Sequence, residues 1–412
     1  MAKTTCLRVS LQLAALLMLS ALTACSSEMY EIPEEDLPPT SLPTMRLLTP
    51  EGSPIDRSLM ENIGMVVSDA TGRTIYTNTV MAKGRGNTSW IRPKKPYTLL
   101  IPNEDTLLNL PPGNNRVLLA NYDDLSLIRN DLAFFMGQLR GRSDIPHSCF
   151  IDLVTNGLYT GIYQLCESVE DICLHEGSDV LVEVDGKARY HEPIFHTTQL
   201  QHPFSIHYPE VEEGDATYNV IAAFVQKAED ILFSEHFADA EGGYREFFDM
   251  DSFVEWYLIN EIAKNNDAIL YTSCFIHFAW NGQLKMGPIW DFDIAFGNYP
   301  YKRKKVVNNP KNFYLRNVSW FARLFDDPDF KSRVKDGFAF YYTHRQELYE
   351  HIDATSRLLI DRVPLDNRLW GCLCDKTASE ERVKDAYTKQ AEELKEWLEQ
   401  RLEWLYSHRD EL

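Results

Sequence analysis

The sequence predicts an α+β fold in two lobes, and three observations carry that expectation. Apolar and β-branched runs punctuated by Gly and Asn/Asp turn pairs fill Ile63 to Leu165. Apolar residues at helical spacing dominate after Asp215, and one hairpin around Asn281-Gly282 interrupts those helices. With 412 residues, the chain is long enough for two or three packed units.

Taken in order, the chain opens on an export signal. Lys3 and Arg8 precede the apolar run Leu11–Leu22, which ends on Leu22-Thr23-Ala24-Cys25. That ending resembles a bacterial lipobox, implying cleavage after residue 24 and lipidation of the Cys25 thiol. The expected location is therefore the cell envelope outside the cytoplasm, with the lipid anchor as the sole membrane contact. Residues 25–44 are polar, acidic and rich in proline, and read as a semi-extended tether.

The strand-rich N-terminal lobe is assigned to residues 45–214, with strands at Ile63–Val67, Thr74–Thr77, Tyr97–Ile101 and Arg116–Ala120. Leu125, Ile128, Leu132, Phe135, Met136 and Leu139 form one helical stripe, capped by Asp123 or Asp124. A hairpin follows: Cys149–Val154, a turn at Asn156-Gly157, then Leu158–Leu165. The helical C-terminal lobe is assigned to residues 215–412. Its helices are expected at Tyr218–Phe233, Phe253–Ile262, Phe321–Phe325, Phe330–His351 and Glu380–His408, around hairpin strands near Tyr271–Ala279 and Leu284–Ile289.

Charge narrows the function classes. Asp and Glu number 61 against 41 Lys and Arg, a net charge of −20 that repels a phosphate backbone and argues against a nucleic-acid partner. Carboxylates in such excess suit metal ions or a basic partner. The cysteines beyond Cys25 fit no zinc spacing and read as buried thiols.

The chemistry concentrates between Glu261 and Gly297. A helix ends at Lys264-Asn265-Asn266-Asp267, the hairpin runs out and back, and the chain emerges at Trp290-Asp291-Phe292-Asp293. Because a hairpin returns its ends to neighbouring positions, Asp267 is expected near Asp291 and Asp293. Carboxylates so gathered disfavour one another's charge unless a cation sits between them, and hard oxygen ligands suit Mg²⁺ or Mn²⁺. A second concentration is Lys83-Gly84-Arg85-Gly86-Asn87-Thr88-Ser89-Trp90, followed by Lys94-Lys95-Pro96-Tyr97. There glycines permit close backbone approach and Arg and Lys match phosphate oxygens.

These segments occur in the same order as in a known family. Together with Leu119-Ala120-Asn121-Tyr122-Asp123…Ile128-Arg129-Asn130, Gly157-Leu158-Tyr159-Thr160-Gly161-Ile162-Tyr163…Glu167 and Gly287-Pro288-Ile289-Trp290-Asp291-Phe292-Asp293, they resemble the spore-coat protein H (CotH) kinase family. The resemblance implies an atypical protein-kinase-like two-lobed fold and transfer of the γ-phosphoryl group of ATP to protein serine, with a Ser-rich, basic acceptor. By that correspondence Asp267 orients the acceptor hydroxyl, Asp291 is the principal Mg²⁺ ligand and Asp293 supports it. Arg85 and Lys95 would hold ATP phosphates, with Lys94 as the alternative lysine and Glu167 as its ion-pair partner. One departure stands out: Tyr271-Thr272-Ser273 occupies the stretch where kinases carry a metal-binding Asn.

Two other readings of the acidic pair remain open from sequence. One is a D-x-D metal-dependent glycosyl- or nucleotidyltransferase; the other is a non-catalytic kinase-like surface or adhesion module. Three further features fall outside the main reading. His191, His196, His202 and His207 lack helical metal-ligand spacing. Lys302-Arg303-Lys304-Lys305 reads as a solvated loop, or as a contact for phosphate or an acidic substrate. His408-Arg409-Asp410 follows the last helix with nothing beyond it to form a catalytic loop.

Overall fold

The computed structural model describes residues 30–188 and 192–412. The export signal of residues 1–24, the lipidation candidate Cys25 and His191 lie outside the described residues. The fold is mixed α+β, with a strand-rich part that is a closed barrel rather than an open sheet. Strands β1 (Thr44–Leu48), β2 (Met60–Ser68), β3 (Thr74–Gly84), β4 (Tyr97–Leu107), β5 (Leu110–Leu119), β6 (Ser148–Thr155) and β7 (Leu158–Glu167) close in the order β1-β2-β3-β4-β5-β7-β6. Parallel pairing of β1 with β6, from Thr44↔Asp152 to Leu47↔Thr155, seals the ring and removes the exposed edge. Inward residues at period two, such as Ile63, Met65 and Val67 on β2, fill its interior.

The segment expected as a tether is partly seated on this barrel. Ile32 and Leu42 are buried, and the Tyr159 amide donates to the Ile32 carbonyl (2.8 Å). Packed structure therefore begins before Thr44.

A second sheet has the order β12-β11-β8-β10-β9, with β8 (Val180–Val184), β9 (Ile194–Phe195), β10 (Phe204–Tyr208), β11 (Cys274–Phe278) and β12 (Lys285–Met286). β8 pairs with β11 from Cys274↔Val184 to Phe278↔Val180. This sheet joins strands from both sides of residue 215, where the sequence places a lobe boundary. All five residues of β8 are buried, as expected of a strand covered on both faces.

The helices are α1 (Arg129–Leu139), α2 (Val169–His175), α3 (Ala216–Leu232), α4 (Met250–Ala263), α5 (Lys304–Val307), α6 (Ser319–Leu324), α7 (Pro328–Thr343), α8 (Arg345–Leu359), α9 (Val363–Trp370) and α10 (Glu380–His408). α1 begins later than its apolar stripe suggests. The Asp124 carboxylate accepts from the amides of Ser126 (3.0 Å) and Arg129 (2.8 Å), which holds residues 124–128 in a turn. The expected helix Phe330–His351 divides at His344, whose ring stacks on Phe340 with centroids 3.9 Å apart. Among the described residues no helix is long and apolar enough to cross a membrane. The six cysteines there are free thiols, with Cys166, Cys173 and Cys274 buried.

α9, which the sequence reading did not anticipate, lies against the barrel. Asp366 accepts from the Ile162 amide (2.9 Å) and from Lys94 Nζ (2.8 Å). Gly161, at φ 123°, makes this approach possible, because a Cβ there would stand 2.5 Å from the Asp366 carboxylate.

Candidate active site

The buried helix α4 ends on Lys264 in a left-handed conformation (φ 51°), which turns the chain sharply into Asn265-Asn266-Asp267. After β11 and β12 the chain returns to the same place. The Phe296 amide donates to the Ala263 carbonyl (2.7 Å), and Asn265 Nδ2 donates to the Asp291 carbonyl (3.2 Å). The two acidic corners thus stand side by side, as the hairpin argument requires. Asp267, Asp291 and Asp293 line one cleft of about 490 Å³ between the barrel and the second sheet.

The barrel side of the cleft fixes the second corner. Asn121 donates to Gln164 on β7 (3.0 Å), Asn130 donates to Asn121 (3.1 Å), and Asn130 Oδ1 accepts from the Phe292 amide (2.8 Å). Arg129 Nε donates to the Ala295 carbonyl (3.1 Å), and Asn298 bridges the Asp123 and Asp293 carbonyls at 2.8 and 2.7 Å. Asp291 sits between these ties at φ 65°, a conformation that costs a non-glycine residue about 1–2 kcal/mol and persists because the peptide group that follows it is held at both its carbonyl and its amide.

The electrostatics follow from burial and crowding. Asp267 is buried, and desolvation followed by repulsion from Asp291 pushes its carboxyl up to about 6. Asp293 is pushed well above the carboxylate range by burial, then by Asp291, Asp123 and Asp124. Neither Asp291 nor Asp293 makes a side-chain hydrogen bond or ion pair among the described residues. Carboxyl oxygens crowded together without a protein partner in a partly desolvated cleft suit a cation, which would relieve their mutual repulsion. Among the described residues no three His, Cys, Asp or Glu side chains form a complete metal cage. The donor set fits a Mg²⁺ ion that takes one or two protein carboxylates and completes its shell with phosphate and water.

Arg85, in the turn after β3, lines the cleft with its guanidinium 5.3 Å from the centre of the Trp290 ring, next to Asp291. The other expected phosphate-binding groups are seated outside the cleft lining. Lys94 is 1% exposed and spends its ammonium on the Ile162 carbonyl (2.6 Å) and Asp366. Lys95 donates to the Trp90 carbonyl (2.6 Å) and lies over that indole. Glu167 pairs with neither lysine; it accepts from the His147 amide (2.9 Å) and meets His147 Nδ1 (2.8 Å). Lys94→Met should therefore destabilise the fold by at least about 2 kcal/mol, because it strands a buried carboxylate, while leaving the KM for ATP unchanged. Urea unfolding and initial rates measure the two effects separately.

Several lining residues escaped the sequence reading: Glu183, Asp185 and Lys187, all at or just beyond the end of β8. Thr272 and Ser273, standing where an Asn was expected, explain two of them. Thr272 Oγ1 donates to Asp185 (2.8 Å) and the Ser273 amide to Glu183 (2.7 Å), so this stretch supplies carboxylates through its neighbours. Lys187 is close enough to Asp267 to favour its charged form. The readable signal is the β-branched stretch Val180-Leu181-Val182-Glu183-Val184 closing on Asp185-Gly186, a strand followed by a turn. Of the histidines noted in sequence that lie among the described residues, His196, His202 and His207, only His207 lines the cleft, and it pairs with Glu183 (2.9 Å).

The family described as CotH kinase protein matches residues 82–405, which takes in the cleft, both acidic corners and the helices behind them. The chain belongs to that family. No curated protein matches it. CotH membership makes the chain kinase-like, and such proteins in general use ATP and a divalent metal ion. The matched span includes the Arg85 turn, the Asn121–Asn130 relay and the Asp291–Asp293 corner, so the features that build the cleft lie inside the CotH region.

Proposed function

We propose that this CotH protein transfers the γ-phosphoryl group of ATP to a serine hydroxyl of a protein acceptor, with Mg²⁺ or Mn²⁺. It would do so as an atypical two-lobed kinase anchored by lipidated Cys25 outside the cytoplasm. The observation that carries the reading is the meeting of Asp267, Asp291 and Asp293 in one cleft beside the Arg85 guanidinium.

In this reading Asp267 accepts the serine proton as the Oγ–P bond forms and the bond from the γ-phosphorus to the bridging oxygen breaks, releasing ADP. A divalent ion supplies charge neutralisation at the phosphates. Asp291 and Asp293 would hold it, and Arg85 and Lys187 offer the cations that line the cleft. The recess adjoining the cleft, where Leu100, Val117, Val169 and Phe275 stand beside polar groups such as Thr98, Asn115 and Ser168, offers a seat for the nucleotide base.

The test is incubation of the purified protein with γ-labelled ATP, Mg²⁺ and serine-containing acceptors, with and without chelator. Metal-dependent label on serine is the expected result, and no label on any acceptor or on the protein itself overturns it. Arg85→Met should raise the KM for ATP about ten- to a hundredfold, the worth of a charge-assisted contact, as read from initial rates.

A further inference from the structure

The run Lys302-Arg303-Lys304-Lys305 has no part in the site described above. In a chain with a net charge of −20, four consecutive cations are conspicuous. All four are exposed, and none of their side chains makes a hydrogen bond or ion pair among the described residues. Tyr301 and Val306, which flank them, are 46% and 58% exposed.

The segment is firmly seated. Asn308 accepts from the Tyr299 amide (2.8 Å) and donates to the Tyr299 carbonyl (3.0 Å), closing the stretch into a loop. Lys264 Nζ donates to the carbonyls of Val306, Asn309 and Lys311 at 3.0, 2.7 and 2.9 Å. Trp397 Nε1 donates to the Asn308 carbonyl (2.6 Å) and Arg401 to that of Pro310 (2.9 Å). The cations therefore stand on a fixed platform tied directly to the turn that carries Asp267.

Its position relative to the cleft is equally definite. Tyr299 and Tyr301 line the cleft. Arg303 acts electrostatically on Tyr299 and Tyr314, and Tyr314 donates to Asn266 Oδ1 (2.7 Å). None of the platform residues borders the recess that Leu100, Val117, Val169 and Phe275 help to line. The cations thus mark the Asp267 end of the cleft, away from the proposed base seat.

We infer that Tyr301–Lys305 docks an acidic stretch of the acceptor protein, carried beside the serine that enters next to Asp267. The inference rests on the kinase reading and replaces a basic acceptor with one whose flank is anionic. Charge complementarity selects the occupant. Three lysines and one arginine, spread along an exposed segment, suit a run of carboxylates better than one bidentate group. The cleft interior, with Glu183, Asp185, Glu192 and Asp123 on its walls, repels the same carboxylates and keeps them outside. A bilayer is disfavoured as the occupant, because α5 has four residues and presents one exposed apolar side chain where interfacial binding needs a broad apolar face.

The test compares the full-length protein with a Lys302→Glu/Lys304→Glu/Lys305→Glu variant, leaving Arg303 in place. Anisotropy of a fluorescent peptide with a Glu/Asp block beside a single serine is read without ATP, alongside label transfer to that peptide and to neutral and basic versions. The expected result is salt-sensitive binding of the acidic peptide that weakens at least about tenfold in the variant. Its KM for transfer should rise in parallel, with kcat, the KM for ATP and the melting temperature unchanged. Equal binding of the acidic peptide by both proteins overturns the inference, as does a loss that is the same for all three peptides. Binding to phosphatidylserine vesicles in place of the peptide overturns it in favour of a membrane. If the acidic peptide binds and the variant loses it while no peptide is labelled, the docking surface stands and the kinase reading falls.

Discussion

Asp267→Asn should slow phosphoryl transfer about 10²–10⁴-fold and, at neutral pH without metal, make the protein harder to melt. Both effects have one cause. Asp267 is buried beside Asp291, and its carboxyl is pushed up to about 6. For an acid, a folded-state value above the unfolded one means that the folded protein holds the proton more tightly. Stability from this group is therefore full below about 4, is lost as pH rises toward 6, and stays lost above. The shift corresponds to a penalty on the order of 3 kcal/mol at pH 7.5. Asn removes the charge and the penalty with it, so chelator-treated Asp267→Asn should melt a few degrees above the parent at pH 7.5, with the gap closing as pH falls toward 4. Removing a general base costs about 10²–10⁴ in kcat, and the KM for ATP should hold because the role proposed for Asp267 is toward the acceptor hydroxyl and not the nucleotide. Thermal melts in chelator at the two pH values and labelled-ATP rates in Mg²⁺ check both halves. A variant that melts lower at pH 7.5 and keeps its rate would show Asp267 to be an ordinary structural carboxylate.

The acidic site was legible in sequence because a hairpin is a local device. Asn281-Gly282 between two apolar runs specifies a return, and the return specifies that residues near 267 and 291 meet. The strands of the barrel were legible for a similar reason, each being a short run between turn signals. What closes them was not. β1 and β6 pair in parallel across about a hundred residues, and no turn chemistry announces such a contact. The lysine pair shows the same limit at one position. Lys94 and Lys95 are adjacent and chemically alike, and what separates them is Asp366, which reaches Lys94 from a helix near the other end of the chain. Likewise, Asp185 and Glu183 enter the cleft because Thr272 and the Ser273 amide hold them, a pairing across two strands distant in sequence.

Arg401→Met should cost about 3–5 kcal/mol of stability, the largest effect expected of a substitution outside the cleft. Arg401 and Glu261 are both fully buried, with the guanidinium 2.6 Å from Glu261 Oε1. The arginine also donates to the carbonyls of Pro310 and Asn312 at 2.9 and 2.8 Å, and to that of Glu261 itself. Glu261 accepts in turn from the amides of Tyr314 (2.7 Å) and Leu315 (2.6 Å). One ion pair thus joins α4, which delivers Asp267, to α10 and to the loop of residues 310–315 that sets Tyr314 against Asn266. Methionine fills much of the space but leaves the buried Glu261 carboxylate, and the carbonyls of Pro310 and Asn312, without the guanidinium. Glu261→Gln beside it should recover part of the loss, because the amide oxygen still accepts from the loop while the stranded charge is gone. If coupling between the two sites in a denaturant double-mutant cycle is near zero, the pair is not the joint described, and Asp267 must owe its placement to the packing of α4 alone.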